Sequence, residues 1–222
     1  MMKWLIAALV MLAMLVPVTG AAESGGDAQH EDPVEMTRAV TDKLLQRIEE
    51  DRERLDGNEA ALRELVDELL LPNVDVVFIA RVVLGRHWRT ASEEQRREFI
   101  SAFRDALIRS YASALLAYDN QEIRFLPMRD DPAEGDVRVR MEFVPHDGEP
   151  LPVVFRMHQR GSEQWRVYDV VVENISLVTN FRGAFDSEIR RNGLDSLISK
   201  LKSDDPDSEL VDPLSGDNGN TD

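Results

Sequence analysis

Hydrophobic residues recur every three to four positions through the first half of the chain, a period that predicts amphipathic helices. The first helix is predicted to begin at Pro33 and to fade into the charged residues 49–54. Gly57 and Asn58 then interrupt the pattern, and a second helix is predicted to run to about Leu70. The N-terminal half of the domain is therefore expected to be helical.

Two further helices are predicted before the pattern changes. Residues 74–84 form a compact apolar segment whose β-branched content suits a strand, but its position before Gly85 favours a buried helix. The clearest helix covers residues 90–118, where apolar residues form one wide face. Ser92 and Gln95 fit a capping box, in which each side chain satisfies a free amide at the start of this helix.

In the second half of the chain, apolar residues alternate with charged ones, which is the period of half-buried antiparallel strands. The alternation predicts strands around residues 123–125, 137–143 and 153–157, and an apolar run predicts a fourth at residues 165–173. A long amphipathic helix is predicted to follow at once and to end near Leu201. This order of elements, with helices first, then a four-stranded antiparallel meander and a closing helix, predicts an α+β domain. Helices are expected to cover the apolar face of its sheet.

The two ends of the chain predict a targeting segment and a tail. Lys3 precedes a short apolar run at residues 5–16, and small residues follow Pro17, as in a signal peptide that is cleaved after Ala22. The run is too short to span a bilayer comfortably, which disfavours an uncleaved anchor. We therefore expect a signal peptide at residues 1–22, a disordered leader at 23–32, one domain at 33–202 and a disordered acidic tail at 203–222.

Composition removes several classes of function. The chain has 222 residues, of which 43% are hydrophobic and 31% are charged, an ordinary globular composition. Its formal net charge of -16 argues against a nucleic-acid partner, because phosphate neutralisation needs an excess of Lys and Arg. The sequence has no cysteine, which excludes disulfides, thiol catalysis and thiolate metal sites.

The sequence gives no clear metal or cofactor site. It contains no nucleotide-binding, GxSxG or HExxH motif. Its four histidines, at positions 30, 87, 146 and 158, lack the spacing of metal ligands. We therefore predict that the protein has neither a metal nor a cofactor.

One pair of carboxylates could perform acid–base chemistry. Asp169 and Glu173 are predicted to share a face of the last strand, and Tyr168 stands beside Asp169. The arginines nearby in the sequence are Arg166, Arg182 and Arg190. Because these cations favour a structural ion pair, we predict that the protein is not an enzyme, with catalysis at Asp169 and Tyr168 as the weaker alternative.

The predicted helices and strands supply much apolar surface. A packed core would use most of it, whereas a binding pocket would leave part of it around a cavity, and the residues alone favour a plain core. The apolar positions in question are Phe78, Val82, Phe99, Phe103, Leu107, Tyr111, Val139, Met141, Phe143, Val153, Phe155, Val170 and Phe185.

Two segments resemble a known family. Residues 168–203, YDVVVENISLVTNFRGAFDSEIRRNGLDSLISKLKS, resemble the C-terminal signature of the MlaC family, the periplasmic phospholipid-binding proteins that serve ABC transporters of toluene tolerance. Residues 83–88, VLGRHW, and the helix that follows them are similar to another block of that family. The resemblance extends over about residues 33–202.

The resemblance implies helices wrapped around a twisted four-stranded sheet, with acyl chains held in an apolar cavity between them. The apolar positions named above would then bind lipid. It further implies a soluble periplasmic carrier that passes phospholipid between an outer-membrane lipoprotein complex and an inner-membrane ABC transporter complex with an MCE-domain protein. It implies, finally, that this transfer maintains outer-membrane lipid asymmetry. The alternative is a periplasmic binding protein or chaperone for other hydrophobic ligands.

Overall fold

Helices form both ends of the folded domain, and the strands lie between them along the chain. The computed structural model describes residues 32–116, 118–119, 121–160 and 164–203, with the backbone alone for residues 111–115. The helices are α1 (Pro33–Glu50), α2 (Arg52–Leu55), α3 (Glu59–Leu69), α4 (Val76–Leu84), α5 (His87–Thr90), α6 (Glu93–Leu116), α7 (Leu177–Asn192) and α8 (Leu194–Lys202). The strands are β1 (Glu122–Phe125), β2 (Asp136–Val144), β3 (Leu151–His158), β4 (Arg166–Val172) and β5 (Ile175–Ser176).

Several predictions for the ends of the chain lie outside these described ranges. They concern the signal peptide, nearly all of the leader and nearly all of the acidic tail. Within the described ranges, no helix is long and apolar enough to cross a membrane.

The strands form one antiparallel sheet in the order β1-β2-β3-β4-β5. Alternation along β2 buries Val139, Met141 and Phe143, as the sequence predicts. The four predicted strands and the α+β class are thus confirmed. The structure adds β5, which follows β4 through a tight turn at Glu173 and Asn174, both with positive φ. A strand of two residues is too short to produce a recognisable alternation.

Polar side chains fix the first turns of the helices. Asp32 accepts a hydrogen bond from a backbone amide in the first turn of α1 (2.7 Å). In the capping box before α6, the Ser92 amide donates to Gln95 Oε1 (3.0 Å) and the Gln95 amide donates to Ser92 Oγ (3.1 Å). The segment before Gly85 is a helix rather than a strand, and Asp75 caps it. The predictions of a capping box and of a helix at α4 are both confirmed.

The closing segment is two helices, not the single long helix that its apolar stripe predicts. Gly193 ends α7 with a φ of 88°, a conformation that glycine adopts more readily than other residues, and α8 begins immediately after it. Glu188 of α7, only 3% exposed, lies 2.8 Å from Nζ of Lys200 on α8. The hydrogen bond from Lys200, and then the one from Asn192, lower the pKa of Glu188. This buried carboxylate therefore joins the two helices across the break at Gly193.

Helices α6 and α7 bring an aromatic cluster into the core. The ring of Phe103 lies 5.6 Å from Phe99, 5.0 Å from Phe181 and 5.4 Å from Phe185, measured between centroids. These rings belong to the same continuous hydrophobic core as the buried residues of the sheet. Each favourable ring pair adds roughly 0.5–1.5 kcal/mol beyond the burial of its area, so the cluster stabilises the contact between the two helices.

Candidate functional site

An apolar groove of about 110 Å³ lies between α3, α4 and α6. All the residues that line it are hydrophobic except Arg104. Ile79, Ile100 and Leu107 are only half-buried, so part of this apolar surface remains accessible. The lining residues are Val66, Leu70, Leu71, Val74, Val76, Ile79, Ala80, Ile100, Phe103, Arg104, Leu107 and Ile108. A concave apolar surface of this kind is typical of a ligand site.

The walls of the groove follow from helical spacing. Ile100, Phe103 and Leu107 recur at three- and four-residue intervals on α6, which aligns their side chains along one side of the helix. Val76 and Ile79 do the same on α4. Each of the two helices therefore presents a stripe of apolar side chains to the groove.

Helix α4 is held at both ends. Before it, Val74 forms an isolated bridge with Val167 of β4, and the Asp75 amide donates to the Val167 carbonyl (2.9 Å). After it, Gly85 has a φ of 53°, and a Cβ atom there would lie 3.2 Å from Nε of Arg182 on α7. The helix that forms one wall of the groove is thus attached to the sheet before its first residue and packed on α7 after its last.

Charged side chains border the groove where α3 meets α6. Arg104 of α6 donates to Asp67 of α3 (Nη1–Oδ1 3.1 Å) and to its neighbour Asp105 (Nε–Oδ1 3.0 Å). Nε of Arg63 on α3 lies 3.2 Å from the same Asp105 carboxylate. These ion pairs join the two helices and hold a guanidinium beside the hydrophobic lining.

The residues predicted to bind lipid divide between the groove and the core. Phe103 and Leu107 line the groove. Phe78 packs in a separate aromatic cluster, Val82 is half-buried against the core, and the side chain of Tyr111 lies outside the described atoms. The remaining positions are buried in the core, namely Phe99, Val139, Met141, Phe143, Val153, Phe155, Val170 and Phe185.

Sequence reasoning missed most of the groove lining. Val66 and Leu70 of the α3 segment belong to an apolar stripe that predicts burial, and burial in the core and exposure to a groove produce the same stripe. Only the position of Arg104 in the sequence could have indicated the groove. This residue stands four residues from both Ile100 and Ile108, at a position where the spacing predicts an apolar residue.

Asp169 lies in β4, and its side chain has a structural role at the start of α7. It is 4% exposed and lies 3.4 Å from Arg156 of β3. It also accepts hydrogen bonds from Ser176 Oγ (2.8 Å) and from the Val178 amide (3.2 Å). Burial raises the pKa of Asp169, and these hydrogen bonds oppose that rise. Asp169 forms an ion pair, as predicted, but its partner is Arg156, whereas the sequence pointed to Arg166, Arg182 and Arg190. The predicted pairing with Glu173 on one strand face is wrong, because Glu173 lies in the turn after β4.

A second polar cluster joins the start of α4 to the sheet. The Tyr168 hydroxyl donates a hydrogen bond to Asp136 Oδ1 (3.0 Å). His158 is 2% exposed and lies 3.3 Å from Asp75, and its ring centroid lies 5.0 Å from that of Phe78, with the two planes tilted by 47°. Burial lowers the pKa of His158, which favours its neutral form. Among the described residues, no group of three or more His, Asp or Glu side chains could hold a metal ion.

The fold and the groove define an α+β protein whose helices cover one face of an antiparallel sheet and leave an apolar groove between them. Residues 38–203 match the family model described as MlaC protein. The chain therefore belongs to the MlaC family, as its last strand and helix indicate.

Two curated relatives and one solved structure align with most of the chain. The intermembrane phospholipid transport system binding protein MlaC of Haemophilus influenzae is 27% identical over 203 residues, covering 90% of this chain and 92% of the relative. The toluene tolerance protein ttg2D of Pseudomonas putida is 29% identical over 188 residues, covering 84% and 83%. A phospholipid-binding protein from Ralstonia solanacearum, solved in complex with a phospholipid, matches with a TM-score of 0.72 and 28% identity over 81% of this chain and 99% of that one.

Proposed function

We propose that this protein binds phospholipid in the groove between α3, α4 and α6 and carries it through the periplasm. The observation that carries the proposal is the groove itself, whose lining is hydrophobic apart from Arg104. The family and the phospholipid-bound relative of the same fold support this choice of ligand.

The energetics of acyl chains explain why such a carrier is needed. Each methylene that leaves water for an apolar site gains about 0.8 kcal/mol, so two exposed chains would cost on the order of 20 kcal/mol. A phospholipid therefore crosses water only inside a protein that imitates the bilayer interior. Transfer from a bilayer to such a site changes the burial of apolar surface little. A carrier of this kind needs no nucleotide, and the direction of transfer comes from its partners.

The groove must enlarge to take two acyl chains. Its volume of about 110 Å³ is below the roughly 300–1,000 Å³ of pockets that hold drug-sized ligands. We propose that α4 and α6 separate, with α4 remaining attached at Val74 and Gly85. The groove then extends past Phe103 toward the sheet, where buried residues such as Val139 and Phe155 contact the acyl chains.

The family supports the choice of the proposed partners. We propose that the protein receives or delivers lipid at an outer-membrane lipoprotein complex and at an inner-membrane ABC transporter complex that contains an MCE-domain protein. Transfer between the two complexes would maintain the lipid asymmetry of the outer membrane. The proposed route begins with export and with cleavage after Ala22, which N-terminal sequencing of the periplasmic protein tests directly.

The proposal is tested by extracting the purified, exported protein with organic solvent and analysing the extract by mass spectrometry. Two-chain phospholipid at close to one molecule per protein is the expected result. Recovery of other hydrophobic compounds in its place favours a carrier of different ligands, and recovery of no amphiphile at all contradicts the proposed function.

A further inference from the structure

A charged residue stands within the apolar stripe that faces the groove. Ile100, Arg104 and Ile108 are spaced four residues apart on α6, so their side chains point along one side of the helix. Removing a charge from water is costly unless other groups compensate it. Arg104 is 26% exposed, and it is the charged member of the described groove lining. Its position places a cation at the border between the apolar groove and water.

The carboxylates next to Arg104 differ in accessibility. Asp105 is 21% exposed and lies near two guanidinium groups, those of Arg104 and Arg63. Asp67 is 42% exposed, and among the described residues its ion pair is with Arg104 at 3.1 Å. The border of the groove therefore presents a positive group directly beside an accessible negative one.

We infer that Arg104 and Asp67 together select the headgroup of the bound lipid and favour a zwitterionic headgroup with a primary ammonium. This inference rests on the proposed function, since it requires that acyl chains occupy the groove. The phosphate diester of a phospholipid is attached next to its acyl chains and carries one negative charge. Arg104 offers five N–H donors, of which Nε and one on Nη1 serve the two aspartates, so others can donate to the phosphate. The ammonium beyond the phosphate then donates to Asp67.

Other headgroups fit this pair of charges less well. Phosphatidylglycerol has a net negative charge, which would lie beside the carboxylates of Asp67 and Asp105 and be repelled. Phosphatidylcholine carries a positive charge but has no N–H group to donate to Asp67. The expected order of preference is phosphatidylethanolamine, then phosphatidylcholine, then phosphatidylglycerol.

The preference is measured by competition. Delipidated protein is equilibrated with an excess of vesicles that contain the three lipids in equal amounts with identical acyl chains, then separated and analysed by mass spectrometry. Phosphatidylethanolamine is expected to be enriched about threefold to fivefold over phosphatidylglycerol, the ratio that an exposed ion pair supplies. Equal occupancy or an excess of phosphatidylglycerol overturns the inference and leaves the proposed function standing. An absence of all three lipids instead overturns the proposed function.

Variants of Asp67 assign the preference to this residue. Asp67→Asn is expected to bring the ratio of phosphatidylethanolamine to phosphatidylglycerol close to one, and Asp67→Lys is expected to reverse it. A purely structural loss would lower all three lipids in proportion and leave the ratio unchanged, an outcome that overturns the role of Asp67. The matched control is Glu64→Gln, because Glu64 is an acidic residue on the same helix as Asp67, is 69% exposed and pairs with Arg54 at 3.3 Å without lining the groove. It is expected to leave the ratio unchanged.

Discussion

The rings of Phe103 and Phe181 meet edge to face, with their centroids 5.0 Å apart. Phe103 also lines the groove between α3, α4 and α6, whereas Phe181 is fully buried in the core. One side chain thus belongs both to the accessible groove and to the aromatic cluster behind it. The Phe103 ring therefore separates the groove, of about 110 Å³, from the interior that faces the sheet.

Replacing the Phe103 ring with a smaller side chain should speed the exchange of lipid. Phe103→Leu is expected to lower the free energy of unfolding by about 1–2 kcal/mol, as a partial truncation in the core does. It should also accelerate the release of a fluorescent phospholipid to acceptor vesicles. Phe99→Leu is the matched control, because Phe99 belongs to the same cluster but does not line the groove. Equal release rates in the two variants would show that Phe103 does not separate groove from core.

The stability that the contact between α7 and α8 contributes should depend on pH. The pKa of Glu188 in the folded protein is held below its ordinary value of 4.5, first by Lys200 and then by Asn192. A carboxyl of this kind stabilises the fold above its unfolded pKa, and the stabilisation is lost as the pH falls through the lowered folded value. Glu188→Gln is therefore expected to lose about 1–2 kcal/mol at pH 7 and progressively less below pH 4.5. Urea unfolding across this range measures the difference, and a loss that does not change with pH would refute the linkage.

The end of α4 should require glycine. Alanine at position 85 would adopt a positive φ and would place its Cβ 3.2 Å from Nε of Arg182. We expect Gly85→Ala to cost about 2–3 kcal/mol through backbone strain and this contact. Gly135→Ala is the control, since Gly135 also has a positive φ but no atom lies within 4 Å of its added Cβ, and it should cost about 1 kcal/mol. Equal losses in thermal unfolding would argue that close packing of α4 on α7 does not need Gly85.

The order of the elements could be predicted from the sequence because their hydrophobic periods are long and change sharply after α6. The break at Gly193 could not. Phe185, Ile189, Leu197 and Leu201 stand four and eight residues on either side of Gly193, so the apolar stripe keeps its register across the break, and one glycine inside a helix costs only about 1 kcal/mol. The positive φ that ends α7 is a tertiary outcome, set by the packing of α8 on α6 and α7.

The site was harder to predict than the fold. Periodicity shows that Phe103 and Val139 both point inward, but not which of them another element covers. Val139 has no exposed surface because the helices close over the sheet, whereas Leu107 stays half-buried between α4 and α6. Only the relative placement of α3, α4 and α6 decides this, and that placement depends on contacts such as Val74 with Val167 that no local pattern records.

Filling the groove with a larger side chain shows whether phospholipid binds there. Leu107→Trp adds bulk to a half-buried side chain that lines the groove, and Leu45→Trp adds the same bulk to a half-buried side chain on α1 that does not. The measurement is the phospholipid bound per folded protein after purification. We predict at least about a tenfold lower occupancy in Leu107→Trp, since losing two or more buried methylenes removes over 1.4 kcal/mol, and wild-type occupancy in Leu45→Trp. Undiminished phospholipid in a folded Leu107→Trp protein would refute binding in this groove, because the acyl chains would then lie elsewhere.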